Sequence, residues 1–313
     1  MRVRWTVVVM AGAALVLGTG CARPQRHASR PAKRSVLCTV YPIWLFTRSI
    51  THGRDGVVVD RLLPAQLGCP HEYTVTAADI RKLDGADVLV ANGLGLDDFA
   101  IENFRRNHPD RPVVIATDGI GELLPSLGTH SPANHTPLPN ANPHLFASPK
   151  RAALIVQRIA QGLSEADPGG QVVYESNARE VATRYAHLGD EMAAAVRHLK
   201  KRVVVTQHDV FDYLARDTGL RVAATVRAHP GEDPSVAEIL GIIRKAHDAG
   251  AGAVFTEPQY PPSIGRMIAK GLDVPSAVLD PVASGPDDPP LDYYEQTMRG
   301  NMETLRRVLG GRA

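Results

Sequence analysis

His71, His144, His208 and Asp280 are the side chains of this 313-residue chain whose types together best suit a transition-metal ion. Three imidazoles and one carboxylate make an N3O set, and four protein ligands in a tetrahedron suit Zn2+. Mn2+ prefers a shell richer in oxygen, and a carboxylate in place of His208 would shift the balance toward it. Each residue also has a plainer reading. A histidine just after a strand is often a capped surface residue, and Asp280 before Pro281 can simply start a turn. Glu257, followed by Pro258, can hydrogen-bond a liganding imidazole from behind or serve as ordinary loop chemistry. A zinc hydrolase is the rival class, with Glu72 beside His71 as its base. Against it, the sequence has no His-Glu-x-x-His, a fourth ligand from Asp280 would close the shell, and no Gly-x-Ser-x-Gly elbow is present. Gly93-Leu94-Gly95 lacks the rest of a dinucleotide fingerprint. No enzyme is expected.

The elements that must position these residues alternate between strand and helix. Strands are predicted over Ser35–Tyr41, Val57–Leu63, Asp87–Asn92 and Pro112–Thr117, then over Arg202–Thr206, Leu220–Thr225, Ala253–Glu257 and Ser276–Asp280. Pro42 starts a helix ending near Gly53, Thr76-Ala77-Ala78-Asp79 reads as a capping box, and Asp97–Asn107 is helical. Ser148-Pro149 is an N-cap and first-turn pair for a helix running to about Leu163. The last helix is expected from about Leu291 to Leu309. Between the two strand groups, Gly170–Lys201 holds no proline, and its apolar residues recur at three- and four-residue spacing. About 30 helical residues would span ~45 Å, a length suited to a strut between two lobes. The expected fold is therefore α/β, two lobes with mainly parallel sheets joined by one long rigid helix. The lobes are placed at 35–169 and 202–313, with 170–201 as the linking helix. In such sheets ligands collect beyond the carboxyl ends of strands. His71, His208 and Asp280 lie there, and His144 ends the Pro125–Pro143 loop, so the set is expected in a cleft between lobes.

The segments Cys69-Pro70-His71-Glu72-Tyr73, Asn142-Pro143-His144-Leu145-Phe146, Thr206-Gln207-His208-Asp209-Val210-Phe211 and Leu279-Asp280-Pro281, with Phe255-Thr256-Glu257-Pro258-Gln259 among them, resemble the metal-site segments of one family. This is the zinc/manganese solute-binding proteins of ABC importers (cluster A-I, family 9). The resemblance covers about residues 35–309, in the same order. It implies two α/β lobes, a rigid helix between them, and a four-ligand site in the cleft formed by His71, His144, His208 and Asp280. It also implies an extracytoplasmic receptor that delivers Zn2+ to an ABC permease, with Mn2+ as the alternative cargo and a metal-binding surface adhesin as the alternative role. The loop Pro125–Pro143 stands where zinc-directed members carry a His- and acid-rich loop. Here it holds only His130 and His135 and no acids.

The N-terminus and the bulk composition set the compartment. Arg2 and Arg4 precede an apolar run from Trp5 to Leu17, then Gly18-Thr19-Gly20-Cys21. This pattern reads as an export signal over residues 1–21, too short for a membrane span of ~20 residues. The small pair before Cys21 resembles a bacterial lipobox, with Gly18 where leucine is usual. Cys21 is thus the expected lipid anchor to the membrane, followed by a flexible tether over residues 22–34. Cys38 and Cys69 then remain. A disulfide between them would close a loop of ~30 residues and contribute about 3–4 kcal/mol; two small buried thiols, or Cys69 as a further ligand, are the other readings. A net charge of +2, evenly spread, gives no reason to expect nucleic acid, and a monomer is expected.

Overall fold

The computed structural model describes Met1 and residues 33–68, 70, 73–126, 141–227 and 233–311. The expected signal, Cys21 and most of the tether lie outside these residues. So do Cys69, His71, Glu72, His130 and His135. Among the described residues no helix is long and apolar enough to cross a membrane.

Lys33–Ala313 form one compact unit built on two four-stranded parallel sheets. The first takes β1 (Arg34–Cys38), β2 (Val57–Arg61), β3 (Val88–Ala91) and β4 (Val113–Ile115) in the order β2-β1-β3-β4. The second takes β5 (Val203–Thr206), β6 (Arg221–Thr225), β7 (Ala253–Thr256) and β8 (Ser276–Val278) in the order β6-β5-β7-β8. The central strands read as unbroken apolar runs, Val-Leu-Val-Ala in β3 and Ala-Val-Phe-Thr in β7, because both faces are covered. Both sheets have the same strand order, so each has a switch point between its first and third strands, where a crevice opens at the carboxyl ends.

Around the first sheet lie α1 (Tyr41–Thr51), α2 (Ala77–Gly85), α3 (Asp98–Asn107) and α4 (Pro149–Ala166). The expected capping box opens α2: the Thr76 N–H donates to Asp79 Oδ2 at 2.8 Å and the Asp79 N–H returns to Thr76 Oγ1 at 3.3 Å. The second sheet carries α6 (Asp212–Thr218), α7 (Val236–Asp248) and α8 (Ser263–Leu272), and α9 (Tyr293–Leu309) closes the chain. Several predicted strands were a few residues too long. β1 stops at Cys38 because α1 begins at Tyr41, and β8 stops at Val278, leaving Asp280 two residues past the strand.

The long helix α5 runs from Gln171 to Arg197, 27 residues. It is not a bare strut. Tyr174, Ala178, Val181, Tyr185, Leu188, Met192 and Val196 are buried along one face, against α4, α1, α6 and α9. Tyr185 and Tyr294 of α9 each meet Phe46 of α1 edge to face, the three ring centroids lying 4.6–5.6 Å apart. One hydrophobic cluster therefore runs from β1 to α9 across the expected lobe boundary, and a small second cluster lies behind α7 and α8. Amphipathic periodicity requires such a partner face, since a helix exposed all round would waste its apolar stripe.

Candidate metal centre

His208 follows β5 and Glu257 follows β7, and those two strands are hydrogen-bonded neighbours with Val205 opposite Val254. Continuing that register for three residues places His208 opposite Glu257. Their side chains meet: His208 Nδ1 lies 2.6 Å from Glu257 Oε1, with His208 3% and Glu257 1% exposed. An ionised carboxylate only accepts, so this contact puts the proton on Nδ1 and turns the Nε2 lone pair outward. The other oxygen of Glu257 accepts from Gln259 Nε2 at 2.6 Å.

His144 is delivered by a different device. The Asn142 N–H donates to Leu124 O at 2.7 Å, and Ala141 bridges Pro125, tying together the two ends of the intervening loop. Asn92, at the end of β3, donates through Nδ2 to Pro143 O at 3.1 Å. Asp97 in turn fixes that corner, accepting from the N–H groups of Asn92 (2.6 Å) and Gly93 (2.8 Å) and from Thr39 Oγ1 (2.5 Å). Gly93 sits at φ +88°, with the built Cβ position only 2.5 Å from Ile115, so only glycine fits. Asn142 Oδ1 then accepts from both the His144 N–H and Nδ1, each at 2.9 Å. Asp209 Oδ1 stands 3.5 Å from the same Nδ1. His144, fully buried, thus also has its proton drawn to Nδ1, with Nε2 on the side of the ring away from Asn142.

The two rings face each other edge to face, with centroids 5.1 Å apart. Among the described residues, the His, Cys, Asp and Glu side chains whose ligating atoms all lie within 4.8 Å of one another are His144, His208 and Asp209. Asp209 is the member sequence reasoning missed. Its Oδ2 accepts from Ser126 Oγ at 2.5 Å, while its Oδ1 lies on the Nδ1 side of His144. This placement makes it a brace behind the imidazole, because the two ring nitrogens point in divergent directions. Asn142 completes that brace, donating through Nδ2 to Asp209 O at 2.8 Å, and its own carbonyl accepts from Tyr213 Oη at 2.9 Å.

Asp280 is outside that group of three but close enough to Glu257 to feel its charge. Burial chiefly, and Glu257 in addition, push its carboxyl up to about 6, opposed by the Val282 N–H on Oδ1 at 2.8 Å. Burial and the charge of Asp209 likewise push Asp212 up to about 7. Asp209 thus stands beside His144 and Glu257 beside His208, with the buried carboxyls of Asp212 and Asp280 close enough to Asp209 and Glu257 to feel their charge. A divalent cation is the partner that relieves such an arrangement. Glu257 hydrogen-bonds the His208 imidazole, and His71 falls outside the described residues. Cys38 lies apart from the site. It is a free thiol with no exposure, pushed up to about 12 chiefly by burial, and Cys69, its expected partner, lies outside the described residues. Its side chain belongs to the core at the end of β1.

A family model described as zinc-uptake complex component A, periplasmic, matches residues 36–308. The chain belongs to this family. The family is a solute-binding component of metal uptake and not an enzyme. Among curated relatives, the zinc-binding protein AdcA of Streptococcus pyogenes serotype M3 is 28% identical over 295 residues, spanning 88% of this chain and 56% of the relative. The chain thus covers little more than half the length of that protein. Among solved structures, the SBP FpvC from Pseudomonas aeruginosa in complex with Mn2+ superposes with a TM-score of 0.74 at 29% identity, over 88% of this chain and 98% of that one. The laminin-binding adhesin Lmb from Streptococcus agalactiae, in a mutant form, gives a TM-score of 0.76 at 22% identity over 88% and 99% of the two chains. At that identity the likeness to Lmb is one of fold.

Proposed function

We propose that this chain is the extracytoplasmic receptor of an ABC-type metal importer, capturing one Zn2+ between its lobes and passing it to the permease. The ligands in this reading are His71, His144, His208 and Asp280, with Glu257, Asn142 and Asp209 holding the imidazoles from behind. The observation that carries it is the paired orientation of His144 and His208. Each buried ring has an acceptor oxygen at Nδ1, 2.9 Å for His144 and 2.6 Å for His208, which directs Nε2 to a shared ligand. Such backing fixes the tautomer and raises the basicity of the ligating nitrogen.

Zinc is chosen over manganese because a set with three imidazoles suits tetrahedral Zn2+. The zinc named for AdcA agrees with this choice, whereas FpvC is described with Mn2+. The lipid-anchored location rests on Cys21 at the end of the apolar N-terminal run, and a relative from Streptococcus pneumoniae is described as a zinc-binding lipoprotein.

The test is metal analysis of the purified protein after equilibration with equal Zn2+ and Mn2+, beside His208→Ala. The reading predicts about one zinc per chain for the wild type and a marked loss in the variant. Equal retention by both proteins would rule out the site, and manganese in place of zinc would overturn the choice of cargo.

A further inference from the structure

Asp280 is followed by an irregular strap, residues 281–291, that leaves the second sheet and lies across the first lobe before entering α9. Its contacts there are numerous and specific. The Gly285 N–H donates to Ala65 O at 3.0 Å, and Tyr41 Oη donates to Pro286 O at 3.0 Å. Arg61 Nη1 donates to Asp287 O at 3.1 Å, and Arg48 Nη1 donates to Pro289 O at 3.0 Å. The two guanidinium groups both lie against Trp44, 4.6 Å and 4.7 Å from its ring centroid. Their outer nitrogens reach the carboxylates of Asp287 and Asp288, which are 71% and 96% exposed. Exposed ion pairs of that kind contribute little. The holding force therefore lies in the carbonyl hydrogen bonds and in the stacked, largely desolvated guanidiniums.

Two backbone features mark the strap as constrained. Gly285 passes so close to Tyr41 that an added Cβ would meet its hydroxyl at 2.4 Å. Val282 is wholly buried with φ +62°, a left-handed conformation that a β-branched residue adopts only when its surroundings impose it. The Val282 N–H donates to Asp280 Oδ1 at 2.8 Å. On the other side, Asn301 of α9 fixes the Asp280 main chain, accepting from its N–H at 2.9 Å and donating to its carbonyl at 2.7 Å. Asn301 thereby ties Asp280 to α9, which reaches the first lobe only through the shared core. The strap is the direct tie, and at Ala65 it also touches the start of the segment that leads to His71.

We infer that Arg48, Trp44 and Arg61 form a latch that holds Asp280 against the first lobe, so that unfastening the strap frees the bound ion. The inference rests on the receptor reading and names the control of that same site. Parting the lobes on this side requires the Arg48, Arg61, Tyr41 and Gly285 hydrogen bonds to break together, which makes release a discrete event. The latch residues are positioning residues that act through the Asp280 carboxylate.

The experiment measures the rate at which the zinc-loaded full chain loses Zn2+ to excess chelator in a stopped-flow instrument. The variants are the double substitution Arg48→Ala/Arg61→Ala, the milder Arg48→Lys/Arg61→Lys, and Gly285→Ala, which displaces the strap without touching the arginines. All three are expected to bind one zinc, with release at least about tenfold faster for the alanine pair and for Gly285→Ala, the scale seen when groups supporting metal ligands are lost. The lysine pair keeps the charge but not the forked, stacked geometry, and should release at an intermediate rate. In an Asp280→Asn background the latch variants should add no further acceleration, since their effect runs through that carboxylate. Wild-type release rates in the folded latch variants, or acceleration that adds fully to that of Asp280→Asn, would overturn the latch while leaving the receptor reading intact. A wild type that retains no zinc would overturn both.

Discussion

Glu257 and Asp209 brace the two imidazoles in different ways, and substitutions should separate them. Glu257→Ala removes the acceptor at His208 Nδ1 and frees the ring to adopt the other tautomer. It should weaken zinc binding about 10- to 100-fold without abolishing it, as read by chelator competition. Asp209→Ala should cost less, because Asn142 Oδ1 still accepts from His144 Nδ1 at 2.9 Å; a loss as large as that for Glu257→Ala would place Asp209 among the ligands. Cys38 gives a prediction of another sort. A thiol pushed up to about 12 by burial carries almost no thiolate near pH 8, so the Cys38 peptide should remain unmodified after N-ethylmaleimide treatment of the folded protein. Mass spectrometry checks this, and rapid labelling would contradict the packing of β1. At this scale the placement of His208 and Glu257 was legible because a residue just past a parallel strand has few places to point. Asp209 and Asn142 were not, because their roles depend on a contact between residues 67 apart in sequence, which no local pattern encodes.

The corner formed by β1, β3 and the turn into α3 is held by one buried carboxylate. Asp97 accepts two backbone N–H groups and the Thr39 hydroxyl, and Asp97→Ala would leave those donors buried and unsatisfied, at a cost of about 3 kcal/mol. Denaturant unfolding of the metal-free protein measures it. Burial pushes this carboxyl up to about 6 from its ordinary 3.8. Between those values the native state binds more proton than the unfolded chain, so the contribution of this group to stability is full below 3.8 and is lost as pH rises through 6. Relative to Asp97→Asn, the wild type should therefore gain stability as pH is lowered from 7 to 4; a constant difference would contradict the assignment. Elements with strong local signals were read correctly: the capping box of α2, the proline in the first turn of α4, the apolar runs of β3 and β7. Strand ends were read too long, since apolar residues continue past the last ladder hydrogen bond into the turns that bury them.

At the scale of the molecule, two sheets with the same strand order turn their carboxyl ends to a common cleft, and α4, α5 and α9 join them through a shared core. The alternation of strand and helix made the two sheets and the long helix legible. Its burial against α1, α4 and α9 was less so, because periodicity shows that a helix has an apolar face but not what covers it. The same holds for α9, which sequence order assigns to the second lobe and the aromatic cluster of Phe46, Tyr185 and Tyr294 ties to the first. A shared core of this kind limits lobe movement, in keeping with capture by small shifts. The central claim, one ion held in that cleft by residues of both lobes, is tested most directly by a crystal structure of the zinc-loaded protein with diffraction recorded on both sides of the zinc absorption edge. The account predicts one anomalous peak bonded to Nε2 of His144 and His208 at about 2.0–2.1 Å, with His71 and Asp280 completing a tetrahedron. A peak on the Nδ1 side of either ring, or one that excludes Asp280, would contradict it.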